Sequence, residues 1–362
     1  MERLAYKPHL DDVLARLGLL YERQAQDRIL ATMQVPSAAL SAFARQYPGT
    51  SCEYPAPESR ILFWDALLRE RAALEDDSVP SVYLSEFDQG LYAGVLGGQV
   101  EFMCHPENGW ISSMVKPLLS DWSEFDALHI DLNHPWFRRY RHQLAIFRQH
   151  AQGKFGISHF ILIDGLNFVF ELLGATRTYL SLLEQPDRVR RAIAFAYELN
   201  VLIQDTFFES VSAESGGTYS NMVQWLPGRV ISESVDPFHM TSVAYFETWG
   251  REPVQRMFQH YDGGVLHLHG NGRHLLEAVC TLKGLRAIYM GDDKDFAPAF
   301  DILPALRARA GDTPLVVSVD LARFEQGLHA HTLSGEVLYQ VQGVPTVATA
   351  NRLMEQVRAY RL

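Results

Sequence analysis

The densest chemistry in the chain lies in Gly263-Gly264-Val265-Leu266-His267-Leu268-His269-Gly270-Asn271-Gly272. Its first half has the texture of a strand, and a strand places residues two apart on one face, so His267 and His269 point the same way. Two imidazoles so placed, followed by glycines that let backbone or ligand come close, make half of a metal site. A carboxylate or thiolate from another strand has to complete it. The competing account is packing: His267 fills the interior and His269 donates to a backbone carbonyl. The histidine spacing alone does not decide between the two.

The elements that must position these residues begin at Ser81, where short β-rich runs start to alternate with amphipathic helical stretches. The pattern predicts strands over 81–87, 100–104, 159–163, 219–224, 229–235, 263–267, 285–289, 314–319 and 336–341. Helices are predicted over 179–210, 242–260, 272–282 and 296–310, the first of them broken at Pro186. Such alternation specifies parallel strand–helix–strand units. Closed on themselves, about eight of these strands form an α/β (β/α)8 TIM barrel. An open doubly wound sheet is the alternative. In a barrel, polar residues just after each strand face the mouth. That rule selects Asp88, Asp164, Asp236, His269, the pair Asp292 and Asp293, and Asp320. Any one of them is explained by the ordinary exposure of strand ends; their recurrence makes the functional case.

Residues 1–75 are expected to be an N-terminal helical extension, with the barrel over 76–362. Leu10, Val13, Leu14, Leu17 and Leu20 recur at helical spacing, and Ile61, Leu62, Trp64, Leu67 and Leu68 do so again. Pro36, Pro48, Pro55 and Pro57 break the chain between them.

Composition removes several function classes. The chain has 362 residues, 47% of them hydrophobic, and 32 basic against 43 acidic side chains give a net charge of −11. That excess of carboxylates repels phosphate backbones and argues against a nucleic-acid partner. Cys52, Cys104 and Cys280 are too few and scattered for a disulfide framework or a metal knuckle, and their scarcity suits a reducing cytoplasm. No apolar run approaches the ~20 residues of a membrane span, and Met1 to His9 lacks a signal-peptide core. The expectation is a soluble, cytoplasmic protein with no membrane partner. No Gly-x-Ser-x-Gly turn follows a strand and no Walker loop occurs, which argues against a serine hydrolase and a P-loop enzyme.

Three segments carry a family likeness. One is Glu233-Ser234-Val235-Asp236-Pro237-Phe238-His239-Met240-Thr241-Ser242; another is the histidine strand from Val265 to Gly272; the third is Phe87-Asp88-Gln89-Gly90-Leu91-Tyr92-Ala93-Gly94-Val95-Leu96-Gly97-Gly98. In this order they resemble the strand, aspartate and "MxS" helix start, the "YHLDGPG" or "HICG" strand, and the N-terminal acidic segment of the uroporphyrinogen decarboxylase superfamily. That superfamily includes the cobalamin:coenzyme M methyltransferases. The likeness runs loosely from about Trp64 to the C-terminus.

The resemblance implies a TIM barrel and, in its methyltransferase branch, a His-x-Cys strand with a further cysteine near the last strand, holding zinc that activates a thiolate. His267 matches that histidine, His269 stands where the cysteine would be, and Val337-Leu338-Tyr339-Gln340-Val341-Gln342-Gly343-Val344 offers no cysteine. A His-His-carboxylate zinc site remains chemically allowed. The decarboxylase branch implies an arginine-rich N-terminal segment and an aspartate, for which Asp88 would stand. The arginine-rich segment is absent; only Arg16, Arg23 and Arg45 are scattered there, too few cations for a substrate bearing many carboxylates. The expectation is a corrinoid-linked methyltransferase with His267, His269 and Glu233 as metal ligands and Asp88, Asp236 and His269 as catalytic residues. Its cofactors would be zinc and a methylcorrinoid donor. Its partners would be a small-molecule substrate, a corrinoid protein and a second copy of the chain. The alternative is a metal-free carboxy-lyase acting on a small or pyrrolic acid, in which Asp88 stabilises positive charge and His269 moves a proton.

Overall fold

The computed structural model describes residues 4–211 and 216–362. Thirteen strands occur among them: β1 (Ile29–Met33), β2 (Ser51–Cys52), β3 (Ser81–Tyr83), β4 (Val100–His105), β5 (Trp110–Val115), β6 (Gly156–His159), β7 (Gly217–Ser220), β8 (Gln224–Pro227), β9 (Ile231–Ser234), β10 (Gly264–Leu268), β11 (Leu285–Met290), β12 (Leu315–Asp320) and β13 (Val337–Gln342). Six form a parallel sheet in the order β1-β13-β12-β11-β10-β9. A second sheet runs β3-β6-β7-β8, parallel except for its last pair. The two meet at a parallel bridge between Ile161 and Ser232, where the Leu162 N–H donates to the Ser232 carbonyl at 2.9 Å. β2, β4 and β5 make a separate antiparallel sheet.

The fold is α/β, with helices between successive parallel strands, but its ladders do not form a continuous ring. Among the described residues no ladder joins β1 to β3. The free edge of β1 is covered instead by two carboxylates: Met33 N–H donates to Asp76 at 2.8 Å and Ala31 N–H to Asp77 at 2.9 Å. Each is neutralised, Asp76 by Lys7 Nζ at 3.0 Å and Asp77 by Arg16 Nε at 2.7 Å. Side chains here satisfy backbone groups that a neighbouring strand would otherwise take.

β1 corrects the expectation that residues 1–75 are all helical. Helices do span Leu10–Tyr21, Ala38–Gln46 and Pro57–Glu70, yet Ile29–Met33 is a strand buried along its whole length and paired with β13. A strand covered on both faces shows no alternation of apolar and polar residues, so its sequence carries no period-two signal. The break at Pro186 falls where its ring requires: one helix ends at Glu184 and the next, Pro186–Ser210, begins with the proline in its first turn. The expected strand over 219–224 divides into β7 and β8, with Gln224 at φ +72° on the turn between them. Among the described residues, no helix is long and apolar enough to cross a membrane.

The faces of β10 are set by what each side chain meets. Leu266 and Leu268 belong to the main core, whereas Val265 joins Leu30, Ala287, Val316 and Leu338 in an inner cluster capped by Val223 and Trp225. Alternation therefore turns His267 inward with Val265, towards the carboxyl end of the sheet.

Candidate metal centre

β9 and β10 lie side by side and parallel, with His267 opposite Ser234. The chain leaving β9 turns at once into the short helix Asp236–His239, whose first residue is Asp236. This brings the carboxylate to the two histidines at the end of β10. Asp236 Oδ1 lies 3.2 Å from His267 Nε2 and 3.9 Å from His269 Nε2. One ligand atom from each of Asp236, His267 and His269 lies within 4.8 Å of the other two. Donors sharing one tetrahedral ion at ~2.0–2.1 Å stand roughly 3.3 Å apart, so the spacing is that of ligands around a common point.

Asp236 Oδ1 is buried and makes no aligned hydrogen bond, although imidazole nitrogens approach it from three sides. The third is His239 Nδ1, at 3.5 Å. Burial pushes the Asp236 carboxyl upward, but His267, His239 and His269 outweigh it and hold the group well below the usual carboxylate range. The orphaned oxygen, and a donor set of two imidazoles and one carboxylate, fit a divalent metal with a position left open for another ligand.

A second layer orients the first. His269 Nδ1 meets Asp293 Oδ1 at 2.9 Å, and the other Asp293 oxygen accepts the Gly270 N–H. Asp293 therefore holds the Nδ1–H tautomer of His269 and leaves Nε2 free as a donor. Burial works against the Asp293 anion; the Gly270 N–H and His269 prevail, and its pKa is lowered. His239 is buried, and its Nε2 has no partner. Its ring lies on Gly272 so closely that a Cβ there would stand 2.2 Å from Cδ2, a separation only glycine permits.

The remaining sequence-predicted residues are placed elsewhere. Glu233 pairs in register with Leu266, on the sheet face opposite His267, and is not in the cluster. Its Oε1 accepts from Ser234 N–H while Oε2 is buried without a partner, and burial, with Asp164 and Asp236 nearby, pushes its pKa well up. Asp88 is buried beside β5, where it accepts from the Gln89 and Ser113 N–H groups at 2.6 and 3.2 Å; burial raises its pKa to about 7. Asp164 is also buried, pushed to about 7, with both oxygens unpartnered. Asp292 holds Arg273 and the Ala299 N–H, and Asp320 caps the helix Leu321–Ala330, so both serve structure. His239, three residues after Asp236, is not among the residues expected from the sequence; Asp293 is expected there only as a strand-end residue, not as the partner of His269. The three cysteines are free, and none belongs to the cluster.

No protein-family model matches the chain, and no curated protein matches it in sequence. In structure it is similar to a methyltransferase from Methanosarcina mazei, with a TM-score of 0.62, 13% identity, and coverage of 96% of this chain and 98% of that one. At that identity the likeness is one of fold: from end to end, this chain is built like that methyltransferase.

Proposed function

We propose that the chain is a metal-dependent methyltransferase on a (β/α)8-type scaffold, moving a methyl group to or from a corrinoid carrier at the Asp236–His267–His269 centre. The observation that carries this reading is the convergence of those three ligand atoms within 4.8 Å. The methyltransferase fold of the structural neighbour supports it. The set suits zinc. Bound there, zinc would supply Lewis acidity that lowers the pKa of an acceptor thiol or polarises another acceptor group. His267 and His269 would hold it through Nε2, and Asp236 would supply the charge. Asp293 fixes the orientation of His269, and His239 Nδ1 lies 3.5 Å from Asp236. The acceptor is a small molecule; the corrinoid arrives either free or on a separate protein.

The carboxy-lyase reading has Asp88 stabilise positive charge on the substrate. Asp88 is 7% exposed, engaged by two backbone N–H groups, and pushed by burial towards its neutral form, so no observation favours that reading.

The test is metal content per chain in protein purified without chelator or immobilised metal, beside a His267→Ala/His269→Ala variant. Near-stoichiometric zinc that disappears in the variant is expected. Demethylation of methylcobalamin by the zinc-loaded protein with a thiol acceptor, followed by absorbance, then tests the transfer. Protein that neither carries zinc nor takes it up would sink the proposal.

A further inference from the structure

A second cleft, of about 310 Å³, opens between β1 and β3, where the ladder is interrupted. The gap is built into the fold, because Asp76 and Asp77 satisfy the β1 edge and leave nothing for a neighbouring strand to pair with. No wall residue of this cleft comes from β9, β10 or β11, so it is distinct from the metal centre.

Three features of the walls define what the cleft can hold. Aromatic rings supply flat apolar faces: Trp64, Tyr83 and Trp110 line it, the last two with centroids 4.9 Å apart. The side-chain amides of Gln34 and Asn221 supply both donors and acceptors, and Gln224, whose oxygen holds the Val79 N–H, supplies a donor. The cationic wall residues are already answered within the protein: Lys7 is bonded to Asp76, and Arg71 lies 3.8 Å from Asp76 and donates to the Met33 carbonyl. An anionic ligand would find no free cation there and would meet the exposed Glu107, whereas a neutral polar one is not penalised.

Two wall residues also carry buried polar atoms without a partner, the Trp64 Nε1 donor and the Asn221 Oδ1 acceptor. Unsatisfied buried groups of opposite sense are uncommon in a finished interior and mark a place where something else completes the bonding. Gln224, at the end of the β7–β8 turn, is fixed in the wall by its side chain accepting the Val79 N–H at 3.1 Å. The volume lies at the small end of ligand pockets, roughly 300–1,000 Å³, and suits one ring or two fused rings.

From these observations we infer that the β1–β3 cleft binds a neutral, planar heterocycle of nucleobase size that carries a lactam, its N–H and C=O meeting the amide walls while the rings flank it. The test is calorimetric titration of the full chain with uracil and hypoxanthine. The comparison ligands are 1,3-dimethyluracil, in which both N–H donors are blocked, and purine, which lacks the lactam. Saturable one-to-one binding of at least one lactam probe is expected, with its comparison ligand at least about tenfold weaker. Trp64→Phe, which keeps a ring and loses the N–H, and Asn221→Leu should each weaken binding by about tenfold at an unchanged unfolding temperature. If Asn221→Leu fails to fold, the Trp64 variant and the ligand pairs still decide the matter. His267→Ala should leave binding intact. Failure of both lactam probes to saturate, equal binding of the comparison ligands, or indifference to the wall variants would overturn the inference. So would loss of binding in His267→Ala, which would place the ligand at the metal centre.

Discussion

Two groups of carboxylates lie on this scaffold and behave in opposite ways. At the ends of β9, β10 and β11, Asp236 and Asp293 face imidazoles and are held as anions in spite of burial. Beside β5 and in the helix Gly165–Leu173, Asp88 and Glu171 face backbone N–H groups and each other, and burial pushes them to about 7 and about 8. Desolvation acts in the same direction on all four. The difference lies in what stands opposite: an imidazole can share a proton or a metal with a carboxylate, whereas a backbone N–H offers only a hydrogen bond. The first arrangement is a ligand set, and the second is a neutral polar filling.

Removing the anion from the first group breaks the contrast most severely. Asp236→Ala takes away one of three ligands and leaves the imidazoles without their common partner, so zinc affinity should fall by more than about 100-fold. Competition with a chromophoric chelator measures it; unchanged affinity would mean that the cluster is not the binding site. Asp293→Asn is milder, because it keeps the shape and the contact with Gly270 but no longer locks His269 as firmly. Changes of this second-layer kind cost about 10–100-fold in metal affinity, and the same competition assay resolves that from zero.

How far the sequence foretold the two groups follows from what period-two patterning can and cannot say. It located β9 to β13 within a residue or two, because each is a short β-rich run set between helical stretches or turn residues. It placed His267 and His269 on one face because alternation is local. It put Glu233 rather than Asp236 with the histidines, because the choice depends on register: Glu233 pairs with Leu266 and so faces away from His267, and only the turn after β9 swings Asp236 back. Its strand-end position marked Asp293, but the contact of Asp293 with His269 was out of reach for the same reason. Its approach to His269 rests on the β10–β11 ladder, which sets Leu268 opposite Met290 and continues as the Gly291 N–H donating to the Leu268 carbonyl at 2.8 Å. β1 escaped because a strand buried on both faces has no alternation to read.

The second group's prediction concerns stability and has the sharpest sign. Burial lifts the Asp88 pKa from its ordinary 3.8 to about 7 in the folded protein. The folded protein therefore binds its proton more tightly than the unfolded chain does. The stability this confers is complete below about pH 4 and is lost as pH rises through about 7. Asp88→Asn keeps the acceptor oxygen for Gln89 and Ser113 but never ionises. Above pH 7 it should be more stable than the parent by on the order of 4 kcal/mol, or roughly 5 °C in unfolding temperature; near pH 4 the two should unfold together. An opposite slope, with the variant less stable at pH 8 than at pH 5 relative to the parent, would mean that Asp88 is held as an anion. It would then belong with Asp236, and the division between ligand set and neutral filling would fail at the residue on which the carboxy-lyase reading depends.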